Sequence, residues 1–251
     1  MGEGARAAAL GGTSVCLSDG WSAFHNQAGL TSIQGWQAGA FFQNRFLVQN
    51  LGDRGLYAAG KVGAGVFAGS YQSFGVPGFN QSRLGIAYAI PLNDKFSIGV
   101  QTNYHSLRIA EGYGISRSFS AEGGIIYRLN NALILGAHIE NVNRPKLSEF
   151  SNERMPSTIR IGAGYIFSEK VKLLGQVQQE LNQKLQVSSG IEYDVAESLV
   201  VRVGAASQPG LWTLGFGWKS KHIRADISST YHTILGFTPQ ISLAYSSAGF
   251  Q

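Results

Sequence analysis

The chain has 251 residues, enough for one or two domains, and only 14% of them are charged, against about 25% in ordinary soluble domains. No window approaches the roughly 18 consecutive apolar residues that a spanning helix needs, and the single cysteine, Cys16, excludes a disulfide framework. The net charge of +5 arises from 20 scattered lysines and arginines that form no dense run, which excludes a nucleic-acid partner.

Residues 1–34 are rich in Ala, Gly and Ser and show no alternation of apolar and polar positions. The stretch from Met1 to Leu10 lacks an apolar h-region with a cleavage pattern, so the chain reads as mature or truncated. Such a stretch ahead of the first strand must be held by the body that follows it.

From Gly35 onward the period is two, the signature of strands. Ile98, Val100 and Tyr104 share one face against Ser97, Gly99, Gln101, Asn103 and His105. Ile159, Ile161, Ala163 and Tyr165 likewise oppose Thr158, Arg160, Gly162 and Gly164. Strands are predicted over 35–50, 56–62, 66–74, 83–90, 96–107, 119–128, 132–142, 158–167, 171–181, 186–195, 199–207, 211–219, 223–231 and 239–247. Their even number and lengths suit a transmembrane barrel. Tight connections, such as 63–65 and 220–222, alternate with longer ones at 75–82, 108–118, 143–157 and 232–238. This rhythm suits short periplasmic turns and longer external loops. Tyr88, Tyr127, Tyr165 with Phe167, Tyr193, Trp218 and Tyr245 end alternate strands on the greasy face, as an interfacial aromatic belt requires. The opposite face carries Gly85, Gly99, Gly124, Gly136, Gly162, Gly190, Gly204 and Gly215. The expected fold is therefore all-β, a 14-stranded antiparallel transmembrane β-barrel in the bacterial outer membrane, contacting its lipid and lipopolysaccharide.

The N-terminal stretch Gly4-Ala5-Arg6-Ala7-Ala8-Ala9-Leu10-Gly11-Gly12, then Ser18-Asp19, then Asn26-Gln27-Ala28-Gly29-Leu30 resembles the signature of FadL-like barrels, particularly the PorV/PorQ family of Bacteroidota. There the pattern runs G-A-R-A-x-x-L-G-G, an acidic pair, and N-P-A-G-L; this chain has Gln27 where the family has proline. The resemblance implies fourteen strands and an N-terminal hatch folded into the lumen, with Arg6, Leu10, Gly11, Gly12, Asp19, Asn26, Gly29 and Leu30 in it. Residues 1–34 are accordingly expected to be a plug and 35–251 the barrel, with both termini periplasmic.

Inward charges Glu122, His138, Glu140, Arg160, Arg202, Arg224 and Asp226, with Lys172 and Glu192, are expected to pair across the lumen, because an unpaired buried charge costs several kcal/mol. No HExxH occurs, and His25, His222 and His232 lie in different regions without a convergent serine motif, so no enzyme, metal or cofactor is expected. Gly63-Ala64-Gly65 has the wrong spacing for a phosphate loop and reads as a turn. Two functions remain. One is a subunit or scaffold of a larger outer-membrane machine, as in type IX secretion or barrel assembly. Its rim residues Arg144, Lys146, Glu149, Glu153 and Arg154 would meet outer-membrane or periplasmic proteins. The alternative is a FadL-like passive channel for hydrophobic small molecules. The longest loop, 143–157, is short for a capture site, which favours the scaffold.

Overall fold

The computed structural model describes residues 4–109, 114–146, 153–181 and 183–250. Its strands are β1 (Trp36–Asn44), β2 (Gly52–Val62), β3 (Gly65–Val76), β4 (Phe79–Pro91), β5 (Phe96–Ile109), β6 (Gly114–Arg128), β7 (Leu133–Glu140), β8 (Thr158–Ile166), β9 (Val171–Glu180), β10 (Gln186–Ala196), β11 (Leu199–Ala206), β12 (Leu211–Lys219), β13 (Ile223–His232) and β14 (Gly236–Ser246). Each pairs antiparallel with its chain neighbours, and β1 closes on β14. Closure matters because lipid offers no partner to an open row of backbone N–H and C=O groups.

The two faces of each strand have opposite character. On β5, Ser97, Gln101, Asn103 and His105 are buried, while Val100 is 60% exposed. Ile161, Phe216 and Leu243 are exposed in the same way around the circumference, which suits a wall solvated by lipid. Aromatic pairs mark both ends of the wall. Trp36 meets Tyr245 at 5.0 Å, Phe67 meets Tyr88 at 4.6 Å and Phe96 meets Tyr127 at 6.3 Å near the tight turns. Tyr104 meets Phe119 at 5.3 Å and Tyr231 meets Phe237 at 5.0 Å near the longer loops.

The segment before β1 lies inside the barrel. Helix α1 (Ala5–Ala9) ends at Gly11 and Gly12, whose φ of +71° and +77° only glycine adopts without strain. Two 3₁₀ turns follow, Gly20–Phe24 and Gln27–Ser32. Asp19 caps the first by accepting from Trp21 N at 3.0 Å, and Asn26 caps the second by accepting from Ala28 N at 3.2 Å. The inner-wall glycines are the seats of this segment. A Cβ on Gly190 would stand 2.8 Å from Leu10, and one on Gly204 would strike the backbone of Gly11. Gly136 meets Val15, Gly124 meets Asn26 and Gly99 meets Gln27 in the same manner.

Several boundaries differ from the sequence reading. The first strand stops at Asn44 instead of running to residue 50, because Arg45–Leu47 turns with Phe46 and Leu47 at positive φ, and Arg45 is drawn to Asp53 at 3.2 Å. The expected loops 75–82 and 108–118 are largely strand, leaving 77–78 between β3 and β4 and 110–113 between β5 and β6. Outward Ser73, Ser82, Ser106 and Arg117 break the apolar alternation there, yet the backbone ladder continues through them.

Ile161 faces lipid at mid-strand, so Ile161→Arg should cost about 2–4 kcal/mol. Urea unfolding in lipid vesicles measures this; a shift no larger than that of Ile161→Ala would contradict a lipid-facing wall.

Candidate functional site

Two ionic groups lie inside the lumen, and the first ties the plug to the wall. Arg6, buried on α1, places Nη1 2.8 Å from Asp19 and donates Nε and Nη2 to the two carboxylate oxygens of Glu192 at 2.8 and 2.7 Å. Glu192 also accepts from Arg202 at 2.7 Å and from Lys172 at 3.4 Å, and Arg202 continues to Asp226 at 2.7 Å. Arg224 stands 3.9 Å from Asp19. Burial alone would raise the Asp19 carboxyl, but the charges of Arg6, His25 and Arg224 outweigh it and hold the group below its ordinary range. Asp19 thus stays ionised at neutral pH, and its contribution to holding the plug is lost only in acid.

The second group lies on β4–β8. Glu140 receives Arg83 at 3.3 Å and Arg160 at 3.2 Å. Glu122 accepts from Gln101 at 2.6 Å and Asn103 at 2.9 Å, with His138 Nε2 at 3.4 Å. All nine lumen charges named from the sequence face inward: Lys172, Glu192, Arg202, Arg224 and Asp226 join the Arg6 network, while Glu122, His138, Glu140 and Arg160 form the other. Arg83 and Asp53 were not singled out, although parity with Gly85 and Gly55 places them on the inner face. The predicted strands began at 83 and 56, which left these positions at or beyond an edge.

Of the plug residues, Leu10, Asn26 and Leu30 are fully buried, and Gly29 packs on Ser22 and the Leu17 carbonyl. Trp21 sits edge-on to inward Tyr57 at 4.8 Å and to Phe41 at 6.0 Å, an aromatic clasp that sequence reading missed. Among the rim residues, Arg154 donates to the Arg144 carbonyl at 3.1 Å and bridges to Lys146, which ties the loop to itself. Glu153 also has an interaction partner. Glu149 lies outside the described residues.

A cavity of about 650 Å³ opens above the plug toward the longer loops. Its floor includes Ala8, Gly12 and Phe24, its wall Gln43, Arg83, His105 and Thr213, and its rim Arg45, Phe46, Asn141, Met155 and His232. A second cavity of about 310 Å³ lies toward the tight turns, lined by Arg6, Cys16, Asp19, Ile134, Leu174 and Phe250. The arrangement offers passage and binding more readily than nucleophilic chemistry: burial pushes the Cys16 thiol up to about 12, far from the reactive thiolate range. Among the described residues, no three His, Cys, Asp or Glu side chains converge as a metal site.

Two substitutions test this architecture. Arg6→Ala strands part of a buried network and should weaken plug docking by about 3–5 kcal/mol, so hydrogen exchange over residues 4–33 and single-channel conductance should both rise while the barrel stays folded. Unchanged exchange would show that the ion pairs do not hold the plug. Gln27 is the first residue of its 3₁₀ turn, follows Asn26 in extended conformation, and buries both amide atoms without a hydrogen-bond partner. Proline fits such a position, so Gln27→Pro should raise stability to chemical unfolding by about 0.5–1 kcal/mol.

No protein-family profile matches this chain, and no curated protein resembles it in sequence. Solved structures do. The toluene transporter TodX of Pseudomonas putida superposes with a TM-score of 0.78 at 13% identity, covering 99% of this chain and 98% of its own. The monoaromatic hydrocarbon channel CymD gives 0.76 at 14% identity over 97% of both chains. A Pseudomonas aeruginosa FadL homologue gives 0.72 at 11% identity, over 97% of this chain and 98% of its own. At these identities the likeness is one of fold: this chain has the closed fourteen-stranded architecture of FadL-like outer-membrane barrels.

Proposed function

We propose that the protein is a passive, non-enzymatic channel for small hydrophobic molecules in the bacterial outer membrane. The observation that carries this reading is the pair of cavities flanking a plug, inside a barrel whose fold is shared with hydrocarbon channels. The chain after β14 leaves the barrel at the end with the tight turns, where Phe250 N donates to the Lys221 carbonyl, the periplasmic end in barrels of this type, whereas Ala5 N stands against Ser242 Oγ inside the lumen.

The sequence argument for a scaffold rested on loops too short to build a capture site. The cavity above the plug answers it: short connections suffice because the plug supplies the floor, and Arg45, Phe46, Asn141, Met155 and His232 stand at the rim. The rim loop offered to partner proteins instead spends Arg154 on its own backbone, so the scaffold reading has the weaker support.

Deletion of the gene should lower uptake of radiolabelled toluene at limiting external concentration several-fold, with wild type restoring it and collapse of the proton gradient leaving it unchanged. Arg6→Ala should admit small hydrophilic dyes that the wild type excludes. Uptake identical in deleted and complemented cells would overturn the channel reading.

A further inference from the structure

The outward face of the wall carries few charges, and they share one sign. Among the described residues of the fourteen strands, Arg54, Arg108 and Arg117 point outward, and every aspartate and glutamate in a strand points into the lumen. None of the three arginines has an ion pair or hydrogen bond with a described side chain, and all three are exposed.

The ladder register places these arginines in a pattern. Arg54 lies opposite Ser73, Ser73 opposite Ser82, Ser82 opposite Ser106 and Ser106 opposite Arg117. By register a row of guanidinium, three hydroxyls and guanidinium therefore crosses β2 to β6, within which Ser73 is buried and accepts from Asn80 Nδ2 at 3.2 Å. The parallel row two residues closer to the tight turns is Leu56, Tyr71, Leu84, Tyr104 and Phe119, which carries the aromatic belt on this side. The polar row therefore runs just beyond that belt, on its longer-loop side, from Arg54 to Arg117. Arg108 lies two residues beyond Ser106, opposite Asn80. It is thus a diagonal neighbour of Arg117, about 7–8 Å away between backbones. Two guanidinium groups at this spacing, with no carboxylate beside them among the described residues, repel each other unless an anion sits between them.

We infer that Arg108 and Arg117, with Ser106 and Asn80 beside them, form a binding site for the phosphate group of a membrane lipid. The aromatic belt beneath fixes the depth. Tyr104 and Phe119 hold the acyl chains at the level where Tyr and Trp sit in bilayers, and the arginines meet the headgroup immediately above. Guanidinium forks bind phosphate bidentately, and serine hydroxyls add neutral donors. A lipid with phosphate directly on its hydrophobic body fits this geometry. A zwitterionic headgroup brings its own cation into a field that is already positive.

Native mass spectrometry of the full chain in mild detergent tests the inference, using dioleoyl phosphatidic acid, dioleoyl phosphatidylcholine and inorganic phosphate as probes. Wild type should retain phosphatidic acid roughly tenfold more than phosphatidylcholine, and R108Q/R117Q should lose that preference. A double variant elsewhere on the surface, Lys95→Gln with Lys184→Gln, removes the same charge and should keep it. Equal retention of the two lipids, or an equal loss in both double variants, would overturn the site in favour of bulk electrostatics. Full displacement by inorganic phosphate would assign it to a free anion instead of a lipid. None of these readouts depends on uptake of hydrocarbon, so the site and the channel reading stand or fall separately.

Discussion

A ring of fourteen strands is too wide for its own inward side chains to fill, since about eight strands already leave an interior just filled by side chains. The added filling here is the chain's own N-terminus, and its anchor is the Arg6 guanidinium shared between Asp19 of the plug and Glu192 of the wall. Around that contact the other choices follow. Glu192 draws in Arg202 and Lys172, Arg202 draws in Asp226, and the charge of Asp19 is offset further by Arg224. Where no ion pair is made, the wall gives way to glycine, so that the backbone of the plug lies directly against Gly204, Gly190, Gly136 and Gly99, and the Asn26 side chain against Gly124.

Much of this was legible in the sequence because a barrel in a membrane inverts no local rule. Period-two alternation over β5, β8, β10 and β13 reports the wall directly, as each outward position must be apolar and each inward position small or paired. The inner glycines were legible as small residues but not as seats, because their purpose depends on where a segment some hundred residues away comes to rest. The same holds for Phe41 and Tyr57: aromatic residues on an inner face contradict the pattern until Trp21 of the plug is placed between them.

The two stretches read as loops between β3 and β6 share a cause. Over 73–82 and 106–117 the outward positions turn from apolar to serine and arginine while pairing continues. Periodicity in hydrophobicity ends where the lipid tails end, whereas hydrogen bonding ends only where the chain turns. A strand that rises beyond the membrane core therefore reads as a loop. The positions lost to that error on the inner face, Arg83 among them, belong to the cavity wall above the plug.

The placement of charge also explains the basic composition without a nucleic-acid partner. Inside the barrel cations and carboxylates are matched: Arg6, Arg202 and Lys172 with Glu192, Asp19 and Asp226; Arg83 and Arg160 with Glu140; Lys219 with Asp194. In a water-poor lumen an excess of either sign is costly, so matching is forced there. On the outer wall no such constraint acts at the headgroup level, and only Arg54, Arg108 and Arg117 are found among the described strand residues. Part of the chain's surplus of positive charge is thus displaced from the interior to the one surface where the surrounding medium supplies phosphate. One sequence meets two electrostatic conditions by alternating them residue by residue across a single strand: on β6, Glu122 turns in to His138 while Arg117, five positions earlier and on the other face, turns out.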